Sequence, residues 1–386
     1  MFEEPINLPL TAERDTRKPW SIVVRTKEFQ LKHSTCSHVP DGGTNALIRL
    51  NGPGFSRLLV GPPPTGRVNR VFFRAVVCVI FSVILAIGTF EFLTVIPEQA
   101  RIFGLSISGD GQNSLSAELT VGRSVERHVD IINLYVAWSL KSALPLDTLH
   151  SIEMAGAVPE ITWEPWNPIE GVEQPTYRLA NIAGGKFDEY LEQWGRALAA
   201  YGGPVFMRFA QEMNGTWYPW SVLRNGGSPP AYVKAFRHVR DTLRHQGAVN
   251  LHWVFSPNIM IGNNASAITE SFPGGDWADI VGIDGYNFGR KAHSRQSWIS
   301  PKLLFDPTLQ VVRHIAPRDE IWINETATTQ QGGDPIAWVQ KLFAYMKGAG
   351  IKGVIWFEIG SDTHAPLRLA GTPAAVTAAR LALSAW

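Results

Sequence analysis

The sequence has little of several features that define whole classes of proteins. Only two of its 386 residues are cysteines, Cys36 and Cys78. Because no cysteine follows Cys78, the rest of the chain cannot contain a disulfide scaffold, a thiolate metal site or a cysteine nucleophile. The formal net charge is only +1, and this balance favours neither a nucleic acid nor an acidic macromolecule as partner. These absences leave a globular enzyme or a binding protein for a neutral ligand.

Residues 1–70 lack a sustained apolar period. They contain Pro62-Pro63-Pro64, several glycines and scattered charges, a composition typical of disordered chain. An alternative is that the natural start lies near Val68, so that the preceding residues are an extension of the gene model. We predict that this region adds no folded domain.

A hydrophobic segment follows at residues 71–97. Its uncharged stretch, Ala75 to Phe90, is shorter than the ~20 residues that span a bilayer, although flanking charged side chains can reach the interface. Arg67, Arg70 and Arg74 before it are also typical of a signal peptide. We therefore predict a signal peptide or a membrane anchor, and an exported body that is secreted, periplasmic or membrane-attached.

From residue 101 onward, short apolar runs alternate with helical stretches. The runs that we interpret as strands are 103–108, 131–138, 158–163, 205–210, 251–255, 279–283, 320–324 and 353–357. The helical stretches are 117–128, 146–155, 186–201, 229–245, 265–272, 301–314, 334–348 and 373–384. Continuous apolar strands indicate a parallel sheet that is covered on both faces. Eight strand–helix units predict an α/β fold, a (β/α)8 TIM barrel over residues 101–386.

A doubly wound sheet is the alternative fold. Such a nucleotide-binding sheet needs a glycine-rich phosphate turn after its first strand. Gly109-Asp110-Gly111 lacks the remaining glycine spacing. The barrel is therefore favoured.

Active sites of these barrels lie at the carboxyl ends of the strands, so the acids at those ends are the candidates. They are Asp110, Glu164, Glu212, Asp284, Glu325 and Glu358. Glu212 and Glu325 follow strands four and seven, which face each other across the barrel mouth. Two carboxyl groups about 5 to 5.5 Å apart are the catalytic pair of a retaining glycosidase. Glu164 either binds substrate or holds a loop, and Asp284 positions a neighbour rather than reacting.

Aromatic residues cluster around Glu212. Trp217, Tyr218 and Trp220 follow Asn214-Gly215, and Trp163 and Trp166 flank Glu164. Flat rings stack on the apolar faces of sugars, so a carboxylic acid beside them is typical of a carbohydrate site. The histidines have no ligand spacing, and we predict neither a metal nor a cofactor.

Three motifs resemble glycoside hydrolase family 26. They are Arg208 to Trp220 (RFAQEMNGTWYPW), Trp277 to Asn287 (WADIVGIDGYN) and Ile321 to Thr326 (IWINET). They are similar to the strand-four, strand-six and strand-seven motifs of this clan A family of endo-β-1,4-mannanases, mixed-linkage β-glucanases and β-1,3-xylanases. The resemblance covers roughly residues 101–386.

The resemblance implies a role for each matching residue. Glu212 would be the general acid/base and Glu325 the nucleophile. Tyr286 would hydrogen-bond the nucleophile, and Arg208 would help orient the carboxylates. The aromatic residues would contact sugars: Trp217 and Trp356 at the cleavage point, and Trp163 or Trp166 at a neighbouring sugar.

Gln211 departs from the family pattern, because mannanases of the family usually carry histidine before the acid/base. Glutamine still donates and accepts hydrogen bonds, so the departure concerns substrate choice. We predict an endo-acting β-glycan hydrolase for β-mannan, with β-1,3-1,4-glucan or an exopolysaccharide glucan as the alternative substrate. A transglycosylase using Trp217 and Trp220, and a non-catalytic carbohydrate-binding or polysaccharide-assembly protein on the same fold, are the other hypotheses.

Overall fold

The computed structural model of the protein describes residues 101–107, 112–140, 143–260, 262, 264–289, 297–358 and 367–386. The hydrophobic segment 71–97, the predicted disordered region 1–70 and the strand-tip acid Asp110 lie outside these residues. In the described ranges, no helix is long and apolar enough to cross a membrane. All described elements belong to the unit Pro97–Trp386.

Eight parallel strands form a closed barrel in sequence order. The strands are β1 (Ile102–Ile107), β2 (Ile131–Ala137), β3 (Val158–Glu164), β4 (Val205–Phe209), β5 (Leu251–Phe255), β6 (Ile280–Asn287), β7 (Glu320–Thr328) and β8 (Gly353–Trp356). Strand β8 pairs with β1, with Gly353 opposite Ile102, which closes the sheet. The predicted TIM barrel is confirmed.

Helices cover the outside of the barrel. They are α1 (Gln112–Ser124), α2 (Leu146–Met154), α3 (Leu179–Ala183), α4 (Asp188–Tyr201), α5 (Pro229–His245), α6 (Ala265–Thr269), α7 (Pro301–Ile315), α8 (Pro335–Gly348) and α9 (Pro373–Ala385). Four of them begin with proline after a capping side chain: Ser228, Ser300, Asp334 or Thr372 accepts a hydrogen bond from a backbone N–H of the first turn. The capping side chain satisfies a free N–H, and proline at the first position costs no hydrogen bond.

Strands β6 and β7 run further than their apolar runs predict. Beyond residue 283, Asp284 to Asn287 still pair with Glu325 to Thr328, although several of these residues are polar. In the mouth of the barrel, Asp284 and Glu325 accept from Arg208, and Tyr286 donates to Glu325. The sequence analysis predicted β6 and β7 too short, because a strand that enters an active site loses its apolar pattern but keeps its backbone pairing.

The barrel interior has an apolar floor and a polar upper layer. The floor is a cluster of Ile131, Val254, Ile280, Trp322 and Ile355. Toward the carboxyl ends, the interior side chains become polar and remain buried, among them Glu160, Thr162, Arg208, Asp284 and Asn324. Because the floor closes the lower end, substrate can reach the interior polar groups only from the mouth.

Candidate active site

Glu212 is held by an unusual backbone conformation just after β4. Ala210 and Glu212 have positive φ angles of 50° and 55°. Such angles are strained for residues other than glycine and persist where neighbouring structure enforces them. The Glu212 N–H donates to the Ser256 carbonyl at 2.7 Å, which ties the turn to the end of β5. This turn aims the carboxyl group into the barrel mouth.

Both oxygens of the Glu212 carboxyl group are hydrogen-bonded. Asn258 Nδ2 donates to Oε1 at 2.6 Å, and Trp217 Nε1 donates to Oε2 at 2.6 Å. Burial, followed by the nearby charge of Glu325, raises the pKa of Glu212 to about 7. A carboxylic acid with a pKa near 7 can both give and take a proton at neutral pH.

Glu325 lies in a different environment. Arg208 Nη1 donates to its Oε2 at 2.8 Å, and the Tyr286 hydroxyl donates to its Oε1. Donors that carry positive charge or a polarised O–H stabilise the carboxylate form. The structure thus brings Glu325, Arg208 and Tyr286 together as predicted, around a carboxylate suited to react as an anion.

Arg208 is fully buried and links two carboxylates. Its Nη2 donates to Asp284 Oδ2 as Nη1 does to Glu325, and Nη1 also contacts Thr162 Oγ1 at 3.1 Å. Asp284 in turn accepts from the Ser256 hydroxyl at 2.9 Å. Asp284 therefore contacts Arg208, which also contacts Glu325, and its positioning role stays a prediction. In the described residues, no group of three His, Cys, Asp or Glu side chains could hold a metal ion.

One wall of the barrel mouth is formed by three connected residues, Gln211, Glu164 and Trp166. Gln211 Nε2 donates to Glu164 Oε1 at 2.7 Å, and Trp166 Nε1 donates to Glu164 Oε2 at 3.3 Å. Burial raises the pKa of Glu164 to about 7. The Gln211 Oε1 atom is buried and has no hydrogen-bond partner among the described residues.

Two aromatic residues were wrongly included in the site. Trp163 or Trp166 was expected to stack on a neighbouring sugar, and Trp163 is the wrong member of this pair, because it is fully buried and stacks on Trp194 of α4, with ring centroids 4.5 Å apart. Side chains alternate along a strand, so Thr162 and Glu164 of β3 face the barrel interior, whereas Trp163 faces the surrounding helices.

Trp356 of β8 is the second wrong assignment. It is fully buried, packs against Trp338 of α8 and donates to the Leu367 carbonyl at 3.2 Å. Its neighbour Phe357 instead lies against Tyr286, with ring centroids 5.7 Å apart. The aromatic residue that borders the site at this strand is therefore Phe357, one position further along the chain.

Other aromatic residues of the mouth divide by exposure. Trp217 is 37% exposed, and Trp166 is half-buried, so both can contact a ligand. Trp220 is fully buried and donates to the Gln211 carbonyl at 2.6 Å. Tyr218 stacks on Trp220 with centroids 4.2 Å apart. Trp220 and Tyr218 therefore support the wall on which Trp166 and Gln211 lie.

Asn258 is a site residue that the sequence analysis did not select. The Asn258 side chain contacts Glu212, and its backbone contacts Asn214. The Asn258 N–H donates to Asn214 Oδ1 at 2.9 Å, and Asn214 Nδ2 donates to the Asn258 carbonyl at 2.9 Å. This pair joins the loops after β4 and β5. The only signal in the sequence was its position three residues after the end of a strand, which many loop residues share.

We expect Asn258→Ala to move the alkaline limb of the pH–rate profile upward by roughly one unit. Asn258 donates to Glu212 and lowers its pKa, and one net hydrogen bond of ~1.4 kcal/mol corresponds to about one pKa unit. The measurement is kcat/KM against pH. Asn287→Ala is the matched control, because Asn287 is equally buried but donates to Thr328 and contacts neither acid. An unshifted limb in Asn258→Ala would contradict the assignment.

At the mouth of the closed parallel barrel lie two buried acids, one with a pKa of about 7 and one paired with arginine, and aromatic residues surround them. Residues 174–312 match the model of Glycosyl hydrolase family 26, which is the family that the three sequence motifs resemble.

The chain is also similar to curated relatives and to solved structures. The chain is 29% identical over 263 residues to Endoglucanase H of Acetivibrio thermocellus, a match that covers 67% of this chain and 28% of that protein. It is 33% identical over 93 residues to a mannan endo-1,4-beta-mannosidase of Bacillus subtilis (strain 168), covering 22% of this chain and 24% of that protein. The chain thus spans about a quarter of the length of these relatives. The catalytic domain of the family 26 endo-beta-1,4-mannanase of Bacillus sp. JAMB-750 shares the fold, with a TM-score of 0.58, 19% identity and coverage of 74% of this chain and 86% of that one.

Proposed function

We propose that the protein is a retaining, endo-acting β-glycan hydrolase that works by double displacement. The observation that carries the proposal is the difference between the environments of the two acids. Glu325 is paired with the Arg208 guanidinium, whereas burial raises the pKa of Glu212 to about 7. One carboxylate suited to attack and one acid suited to proton transfer are the two parts that this mechanism needs.

In the first step, Glu325 attacks the anomeric carbon while Glu212 protonates the departing glycosidic oxygen. The carbon–oxygen bond breaks, and a glycosyl–Glu325 ester forms. In the second step, Glu212 removes a proton from water, and the water oxygen displaces Glu325 from the sugar. Arg208 and Tyr286 hold Glu325 in place through both steps, and a separation of about 5 to 5.5 Å between the carboxyl groups stays a prediction.

We favour β-1,4-mannan as the substrate. Mannan endo-1,4-beta-mannosidases recur among the relatives, and their names support this backbone. A β-glucan is the second candidate, because a relative whose match covers 67% of this chain is named an endoglucanase. Gln211, which stands where family mannanases usually carry histidine, is consistent with the second candidate.

A polysaccharide panel scored by new reducing ends tests the proposal. Galactomannan, glucomannan, lichenan, xylan and carboxymethyl cellulose separate the two candidates, and product sizes separate endo from exo action. Mannan hydrolysis into mixed oligosaccharides supports the first candidate, and lichenan hydrolysis alone supports the second. Binding without hydrolysis of any member would reject enzymatic function in favour of a carbohydrate-binding protein. Products longer than the substrate would indicate a transglycosylase.

We expect Gln211→His to raise the ratio of kcat/KM on mannan to that on lichenan by about tenfold, the value of one hydrogen bond of ~1.4 kcal/mol. Gln211 lies in the wall of the mouth with an unused acceptor, and histidine restores the residue that family mannanases carry. The control is Gln211→Ala, which removes the Glu164 partner and should lower both rates alike. An unchanged ratio in Gln211→His would mean that this position does not select the sugar.

We also propose that the barrel acts outside the cytoplasm, where polysaccharides occur. The support is the apolar stretch Ala75 to Phe90 with its basic flank, together with the absence of cysteine after Cys78. Fractionation of cells that express the full chain, followed by N-terminal sequencing of the product, distinguishes cleavage from anchoring. Recovery of uncleaved protein in the cytoplasm would contradict this proposal.

A further inference from the structure

Strand β7 contains a bulge immediately before the proposed nucleophile. On the β6 side, Ile283 pairs with Ile323, but the next pair is Asp284 with Glu325. On the β8 side, the pairing likewise passes over one residue between Ile323 and Thr326. Asn324 is therefore an extra residue, and a bulge of this kind redirects the side chains that follow it. As a result, two consecutive side chains, Asn324 and Glu325, both face the barrel interior.

The Asn324 side chain reaches across the barrel to a second buried acid. Its Nδ2 donates to Glu160 Oε1 at 2.9 Å, and both residues are fully buried. Glu160 is on β3, four strands from β7 and thus on the opposite side of the closed barrel. Gly282 of β6 makes room for this contact, because a Cβ there would lie 2.6 Å from Asn324 Cβ. The hydrogen bond therefore connects opposite strands across the barrel interior, next to Glu325.

Two atoms of this pair lack partners in the described part of the chain. Glu160 Oε2 and Asn324 Oδ1 are both buried acceptors without a hydrogen bond. A buried carboxylate with one unsatisfied oxygen is costly, as is an unsatisfied amide oxygen. A single proton on Glu160 Oε2 removes both costs, since the acid O–H can donate to the amide oxygen while the amide N–H donates to the acid. Carboxylic acid and amide then form a ring of two hydrogen bonds.

The burial of Glu160 agrees with a protonated acid. Burial is the largest influence and raises its pKa, the Arg208 charge and the Asn324 hydrogen bond lower it, and the Glu325 charge raises it, so that the pKa is about 7. Arg208 directs its contacts with acids to Asp284 and Glu325, so it gives Glu160 no hydrogen bond of its own. Below neutral pH, Glu160 therefore has a proton to donate.

We propose that Glu160 is a positioning residue whose protonated carboxyl group pairs with both ends of the Asn324 amide and fixes the β7 bulge that aims Glu325 into the mouth. The catalytic consequence rests on the proposed function of Glu325. The pairing itself concerns only the fold. The two parts are therefore tested by separate measurements.

Infrared difference spectroscopy tests the proton without any substrate. Subtracting the spectrum of Glu160→Gln from that of the wild type at pH 5.5 should show the loss of a protonated carboxyl C=O band. Loss of carboxylate bands instead would overturn the proposal. Glu358→Asp is the comparison variant, since it alters another buried acid but keeps a carboxyl group. Its difference spectrum identifies changes that do not come from the loss of an acid.

Thermal melting tests the same proton through stability. Because the folded pKa of Glu160 is raised, the stability it contributes is fully present below its unfolded pKa and is lost as the pH rises through about 7. Glutamine cannot ionise, so the melting temperature of Glu160→Gln should rise relative to the wild type between pH 5 and pH 8. A difference that stays constant over this range would contradict a buried acid that loses its proton there.

Kinetics test the positioning role. Glutamine can form both hydrogen bonds with Asn324, so Glu160→Gln should keep kcat within about threefold, whereas Glu160→Met forms neither. A small displacement of a reacting group costs on the order of 10²-fold in rate, so Glu160→Met should lower kcat by about that factor with KM little changed. If Glu160→Met and Glu160→Gln have equal kcat and Glu160→Met differs only by a lower melting temperature, Glu160 contributes to stability and does not position Glu325.

The pairing of Glu160 with Asn324 can still be tested if the wild type hydrolyses no polysaccharide. In that case the proposed function fails, while the infrared and melting results still decide the pairing. A crystal structure of Glu160→Met then shows whether Glu325 leaves Arg208 and Tyr286. An unmoved Glu325 would refute the positioning role.

Discussion

Glu325→Gln is expected to lower kcat by on the order of 10⁵-fold or more, as removal of a nucleophile that forms a covalent intermediate does elsewhere. The change keeps the size of the side chain and one acceptor oxygen for Arg208, while the amide N–H can donate to the Tyr286 hydroxyl. It removes the charged oxygen that would bond to the anomeric carbon. The variant should therefore fold, bind polysaccharide and fail to cleave it.

Trapping identifies the nucleophile directly. A 2-fluoro glycoside of the preferred sugar should leave a covalent label, and peptide mapping of the wild type should place that label on Glu325. Glu358→Gln is the matched control, because Glu358 is another buried acid at a strand tip but accepts from the Leu369 N–H and contacts neither catalytic acid. Its kcat should stay within severalfold of the wild type. A label on any residue other than Glu325 would refute the mechanism.

The fold could be predicted because every barrel strand contains a short apolar run. Strand β5 and helix α5 were placed at their observed bounds, Leu251–Phe255 and Pro229–His245. Helix α5 has a proline start and a strong apolar period, and both are local signals. The short helix α3, Leu179–Ala183, was missed because it lies in the long loop after β3, where no period develops in five residues.

The two acids could be predicted because they follow strands that the barrel brings together. The aromatic errors arose within strands, from the side on which each residue lies. Trp163 and Glu164 are adjacent on β3 and therefore cannot share a face, so choosing both for the site contradicted strand alternation. If the alternation of side chains had been applied strictly, the sequence alone would have excluded Trp163 from the candidate site residues.

Other parts of the site could not be derived from any local pattern. The bulge at Asn324 breaks the alternation of β7 and brings two consecutive residues inside, which strict alternation would have ruled out. The contact between Asn258 and Glu212 joins loops 46 residues apart and depends on how the turn after β4 is strained. Such features become visible only when the strands are placed in space.

Glu212→Gln is expected to lower kcat on polysaccharide by 10² to about 10⁴-fold, the usual contribution of general acid–base catalysis. Sugars are poor leaving groups and need the proton that Glu212 supplies. An aryl glycoside with an acidic phenol leaves without it, so its first step should be nearly unchanged and the covalent intermediate should accumulate. Azide, which needs no general base, should then release the intermediate as a glycosyl azide.

The pH–rate profile distinguishes Glu212 from its neighbour Glu164. Burial raises the pKa of both residues to about 7, so the numerical value alone cannot identify the acid. Glu212 must be protonated for the first step, and kcat/KM of the wild type should therefore fall about tenfold per pH unit above about 7. This limb should vanish in Glu212→Gln and persist in Glu164→Gln, which keeps an amide partner for Gln211. If the limb instead vanished in Glu164→Gln and persisted in Glu212→Gln, Glu164 would be the proton donor, and the loop strained around Glu212 would need another explanation.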